Sequence, residues 1–134
     1  MYCIFAAESV AKMQGNRGKL AAQAGHAYLH AYWDATGVSS SSYEGQYSYT
    51  ARQRKVKQAM AYRLGERAYK ICLVVDTVEE LRVLYNKYAN ICGVSLVTDA
   101  GLTVFNEPTT TCLGLGPISE ENIGSDIKQL KVYM

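Results

Sequence analysis

Lys19, Gln23, His26 and His30 follow one another at intervals of four, three and four residues, the spacing that lines side chains along one face of a helix. Leu20, Ala24, Ala27, Tyr28 and Ala31 recur at helical spacing beside them and supply the packing side. A solvated stripe is the ordinary explanation of such a polar face. Lys19 fits it poorly, because a cation in the first helical turn opposes the positive end of the macrodipole at a cost of about 0.3–1 kcal/mol. Lys19, Arg17 and the unpaired amides around Gly18 would instead draw a phosphate or a developing oxyanion.

Two known motifs could be sought here, and both fail. A phosphate-binding loop needs G-x-x-x-x-G-K followed by Ser or Thr, whereas Met13 holds the first glycine position and Leu20 follows Lys19. His26 and His30 could clamp a metal with Asp34 one turn on, but no Glu follows His26 as H-E-x-x-H requires. The ordinary alternative for His26 is a buried, hydrogen-bonded histidine. Asp99 is the carboxylate candidate, standing where an apolar strand runs into Ala-Gly, a turn that leaves room for a ligand; its ordinary reading is a turn residue. Thr103, Thr109, Thr110 and Thr111 offer hydroxyls nearby, or a β-branched strand edge. Arg52, Arg54, Lys55, Lys57, Arg63 and Arg67 concentrate basic charge in one short stretch, either a phosphate track or a solvated helix face.

The elements that must hold these residues can be read from the same chain. With 134 residues, 49% hydrophobic and 19% charged, it has the size and composition of one globular domain, residues 1–134. No apolar run approaches the length of a membrane span. The start, Met-Tyr-Cys-Ile-Phe, lacks the basic residues of a signal peptide and reads as a strand. Cys3, Cys72, Cys92 and Cys112 sit in separate apolar runs without ligand-pair spacing, which predicts buried reduced thiols and a cytoplasmic protein. Strands are expected at about 2–7, 69–75, 92–97, 111–115 and 130–133. Helices are expected from about 18 to 33, from Thr50 to about 64 with Val56, Ala59, Met60 and Leu64 inward, and after a Thr77/Glu80 capping box with Val78, Leu81, Leu84, Tyr85 and Tyr88 as the buried stripe. Residues 8–18 read as a loop, as does the Ser/Tyr-rich stretch 38–49. Alternating strands and helices predict an α/β fold with a mostly parallel or mixed sheet covered on both faces.

Three blocks occur in one order: Gly18-Lys19-Leu-Ala-Ala-Gln23-Ala-Gly-His26-Ala27, then Asp99-Ala-Gly-Leu-Thr103, then Thr111-Cys-Leu-Gly-Leu-Gly116-Pro117. In this the chain resembles the peptidyl-tRNA hydrolase type 2 family over nearly its whole length, apart from about 38–58. The resemblance implies a three-layer α/β/α fold with a four-stranded mixed sheet, and no metal or organic cofactor. It implies an enzyme that hydrolyses the ester between a peptide and the 3′ ribose of tRNA, with peptidyl-tRNA as its partner. Carried over by position, the functional residues are Lys19, Gln23, Asp99, Thr103 and Thr111, with His26 in support. Arg17, Gly18, Arg52, Lys55 and Arg63 are the expected phosphate contacts, the last three in a Ser/Tyr-rich loop and basic helix inserted at about 38–64. An exposed helix face leaves room for a homodimer. The chain departs from the family pattern at Met13-Gln-Gly-Asn-Arg-Gly18, Leu102 and Glu107-Pro108, and these differences define the alternative, a non-catalytic nucleotide- or RNA-binding module with the same anion pocket.

Overall fold

The computed structural model describes residues 1–37, 49–65, 68–101 and 107–134. The predicted loop at 38–49, apart from Tyr49, lies outside them, as do Arg67 of the basic stretch, Leu102 and the candidate Thr103. Strands β1 (Tyr2–Ala6), β2 (Ile71–Val75), β3 (Val94–Asp99), β4 (Thr109–Leu115) and β5 (Lys131–Val132) form one sheet in the order β3-β4-β1-β2-β5. The helices are α1 (Ala7–Ala11), α2 (Arg17–Thr36), α3 (Tyr49–Leu64), α4 (Val78–Tyr88) and α5 (Ser125–Lys128).

The expected four-stranded, mostly parallel sheet is corrected here: there are five strands, and only β1 and β2 pair parallel, while β1/β4, β2/β5 and β3/β4 are antiparallel. The reason is connection length. Residues 100–108 are too few for the dozen or more that a parallel crossover needs, so β4 returns antiparallel to β3.

Alternation along the central strands sends side chains to two cores. Ile4, Ala6, Leu113 and Leu115 pack with Leu81, Leu84 and Tyr88 of α4, the stripe expected for that helix. Thr77 caps it by accepting from the Glu80 amide at 3.3 Å, and the Glu80 carboxylate accepts from the Asp76 amide at 2.9 Å. Cys3, Phe5, Val97 and Cys112 pack on the other face with Ala27 of α2. The inward residues of α2 are Gln23, Ala27, Ala31 and Ala35, small enough for the helix to lie close to the sheet. Its approach depends on Gly114, where a Cβ would stand 2.0 Å from the Ala27 carbonyl oxygen.

Two local expectations are overturned. Residues 8–11, read as loop, form α1 together with Ala7, read as the end of the first strand; five residues are too few to show a helical period. In α3 the buried residues include Ala51, Lys55, Gln58 and Ala59, whereas Val56, Met60 and Leu64 are exposed. The packing partners of α3 are polar. Lys55 donates to Asp34 at 2.9 Å and Gln58 to the Ile91 carbonyl at 2.7 Å, while the Gln58 carbonyl oxygen accepts from the Ser119 amide at 2.8 Å. Asp34 also accepts from the Val94 amide, so one carboxylate ties α2, α3 and the start of β3 together. The four cysteines are free thiols; Cys72 is half-buried and the others are buried. Among the described residues no helix is long and apolar enough to cross a membrane.

Candidate active site

Asn16 accepts from the Lys19 amide at 3.0 Å and starts α2, as an N-cap should. One amide expected to be open to an anion is therefore satisfied within the protein. The Lys19 side chain turns to the end of β3, where its ammonium pairs with Asp99 Oδ2. The Lys19 side chain is 17% exposed and that of Asp99 8%, so this ion pair is largely withdrawn from solvent, and Asp99 itself lines a surface cleft. The other oxygen, Oδ1, accepts from the Gly101 amide at 2.8 Å. Gly101 has φ +82°, and a Cβ there would stand 2.6 Å from the Glu107 backbone; the turn behind Asp99 requires glycine on both counts. The hydrogen bond from Lys19, then that from the Gly101 amide, hold the Asp99 carboxyl below its ordinary range. Asp99 is a carboxylate at neutral pH.

One turn further along α2, the buried Gln23 accepts from the Thr111 hydroxyl at 2.6 Å. Thr111 Oγ1 also lies 3.3 Å from the Val97 carbonyl, which locks it between β3 and β4. With Oε1 engaged, Nε2 is the amide atom of Gln23 that serves the cleft. Gln23, His26, His30, Thr98, Asp99 and Ala100 line that cleft, about 450 Å³ in volume, between α2 and the edge strand β3.

Lys19, Gln23, Asp99 and Thr111 thus converge from three elements. His26 shares the cleft wall but is exposed, which corrects its reading as a buried histidine: it falls on the flank of α2, and the sheet face is taken by Ala27 and Ala31. Arg17 and Gly18 are exposed at the start of α2. Arg52 and Arg63 are exposed on α3, and Lys55 is buried against Asp34, so Lys55 is withdrawn from any phosphate-facing surface. Arg52 lies beside Gly37 at the far end of α2, eighteen residues and roughly 27 Å of helix from Lys19.

Sequence reasoning missed Thr98, which lines the cleft, and Ser9, which braces β4 behind it, and it named His30 in the polar stripe without giving it a role. Ser9 of α1 donates to the Thr110 carbonyl at 2.6 Å, and the hydroxyls of Thr98 and Thr110 are 3.2 Å apart; both contacts depend on strand pairing that has no local signature. His30 did carry a signal in its spacing from His26. Chemically, the cleft offers an ionised carboxylate to hold a water, an ammonium to meet developing negative charge, and an amide indexed by a buried threonine.

The family profile of the peptidyl-tRNA hydrolase PTH2 matches residues 8–133. Proteins named peptidyl-tRNA hydrolase are similar along most of their length. That of Methanococcus maripaludis strain C6 is 35% identical over 118 residues, 87% of this chain and 86% of that protein. Those of Methanocaldococcus jannaschii, 31% identical over 87% of each chain, and Methanopyrus kandleri, 36% identical over 81% of this chain and 78% of that protein, agree. With the match spanning the cleft and every strand of the sheet except β1, the chain belongs to the peptidyl-tRNA hydrolase PTH2 family.

Proposed function

We infer that this protein hydrolyses the ester between a peptide and the 3′ ribose of tRNA, freeing the tRNA for reuse in the cytoplasm, with Lys19, Gln23, Asp99 and Thr111 carrying the reaction. The observation that supports this most is the Lys19–Asp99 ion pair, whose carboxylate lines the cleft. A substrate carbonyl entering there meets a positive charge, and a water beside it meets a carboxylate.

Asp99 accepts a hydrogen bond from the attacking water and aims it at the ester carbonyl. A carboxylate this well stabilised is a weak base, so orientation is its larger contribution. As the water oxygen bonds to carbon, charge develops on the carbonyl oxygen, and Lys19 Nζ shifts from Asp99 to stabilise it. Gln23 Nε2, held by Thr111, positions the ester. Collapse breaks the bond to the ribose 3′ oxygen, which takes up the proton lost by water, and the peptide leaves as a carboxylic acid that ionises by releasing the second proton to solvent. An aminoacyl ester is intrinsically labile, and the sequence calls for no covalent nucleophile, metal or organic cofactor. Arg17 and Gly18 at the start of α2 are suited to a terminal phosphate, Arg52 and Arg63 to phosphates further along the tRNA. Release of peptide from a purified peptidyl-tRNA, compared with Lys19→Ala and Asp99→Asn proteins, is the test. Full activity in both variants would remove this site from the reaction.

A further inference from the structure

Three rings run along the exposed flank of α2 from the cleft. His26 and His30 meet edge to face with centroids 5.7 Å apart. His30 and Trp33 lie nearly parallel, centroids 5.3 Å apart and planes 21° from one another. His30 therefore buttresses the indole and sets its plane, while Trp33 keeps 39% of its surface exposed. At 100° per residue, Lys19, His26, His30 and Trp33 fall within about 60° of one another around the helix axis. The ring strip is thus a straight continuation of the catalytic flank, whereas Ala27, Ala31 and Ala35 turn to the core.

We propose that this strip is a base-stacking platform for the unpaired 3′-terminal nucleotides of the substrate tRNA, with Trp33 as its principal surface and His30 as its support. From His26 to Trp33 the helix rises about 10 Å, the length of roughly three stacked nucleotides at 3.4 Å each. The platform begins at the cleft that holds the ester, so the last nucleotide enters beside His26 and the preceding ones run toward Trp33. One turn beyond Trp33 the exposed Arg52 lies beside Gly37, a cation where the sugar-phosphate chain leaves the rings. Stacking on an indole face needs no hydrogen bond to a base edge, so exposed rings of this kind suffice to hold an unpaired strand. This inference rests on the hydrolase reading for its occupant, and its test separates the two.

Trp33 is the only tryptophan in the chain, so indole emission reports the platform directly. Titration of the native protein with a short single-stranded RNA ending in the tRNA 3′ sequence is expected to quench that emission saturably. Unchanged emission where anisotropy of labelled RNA shows binding would overturn the proposal. In kinetics, Trp33→Ala is expected to raise KM for peptidyl-tRNA roughly five- to a hundredfold with kcat retained. Hydrolysis of a peptidyl-adenosine ester, which carries no preceding nucleotides, stays unchanged. Trp33→Phe keeps most of the affinity and Trp33→Leu does not, because the leucine restores apolar surface without a π face. Equal losses on both substrates, or a Leu variant as good as Phe, would refute stacking. Native protein that hydrolyses neither substrate would overturn the hydrolase reading, while the fluorescence titration would still decide the platform.

Discussion

At the residue scale, the proposed chemistry rests on Lys19 and Asp99, two charges paired with each other in the structure. If Lys19 stabilises the oxyanion, Lys19→Ala lowers kcat by about 10²–10³-fold, the usual loss of one such contact, without loss of the folded far-UV signal. The same pair governs acid behaviour. Asp99 is depressed by the Lys19 and Gly101 hydrogen bonds, so its contribution to stability is complete above the ordinary carboxylate range and is lost as pH falls through its own lowered value. Removing Lys19 removes the larger cause of that depression. The acid limb of the rate profile in Lys19→Ala should accordingly move to higher pH; a residual activity with an unmoved limb would mean that Asp99 is not the group being titrated.

At the element scale, α2 must be held against the sheet in one register, because Lys19, Gln23 and the ring strip all ride on it. Its attachments include the close crossings at Gly114 and Gly93, the Thr111–Gln23 hydrogen bond, and Asp34, which meets both the Val94 amide and the buried Lys55. Lys55→Ala leaves an uncompensated buried carboxylate and should destabilise the protein by about 3–5 kcal/mol, whereas Arg52→Ala on the exposed side of the same helix should change urea stability by less than about 0.5 kcal/mol. Comparable losses in the two would contradict the burial of Lys55. Gly114→Ala places a methyl group against the Ala27 carbonyl; with α2 pushed outward, kcat and stability fall together, which a thermal melt paired with the hydrolysis assay would register.

At the scale of the whole molecule, basic groups lie at both ends of α2, and a tRNA long enough to touch both would be bound largely through phosphates. If Arg17, Arg52 and Arg63 each neutralise one phosphate, KM should rise roughly twenty- to fortyfold between 50 and 200 mM salt. An Arg52→Ala, Arg63→Ala double variant would flatten that dependence, and a slope unchanged by it would show that α3 does not meet the tRNA. The sequence by itself determined a good deal: the Lys19–Gln23 spacing, the Thr77/Glu80 cap, the Leu81–Leu84–Tyr88 stripe and Asp99 at a strand end are local patterns, set by helix and strand periods and turn chemistry. Only the tertiary structure decided the rest. That β4 returns antiparallel, that Lys55 is spent on Asp34 while Arg52 is exposed, that His26 lines a cleft wall, and that Thr111 indexes Gln23 all depend on partners far along the chain. Periodicity assigns a residue to a face of its own element, but pairing and burial depend on which other element that face meets.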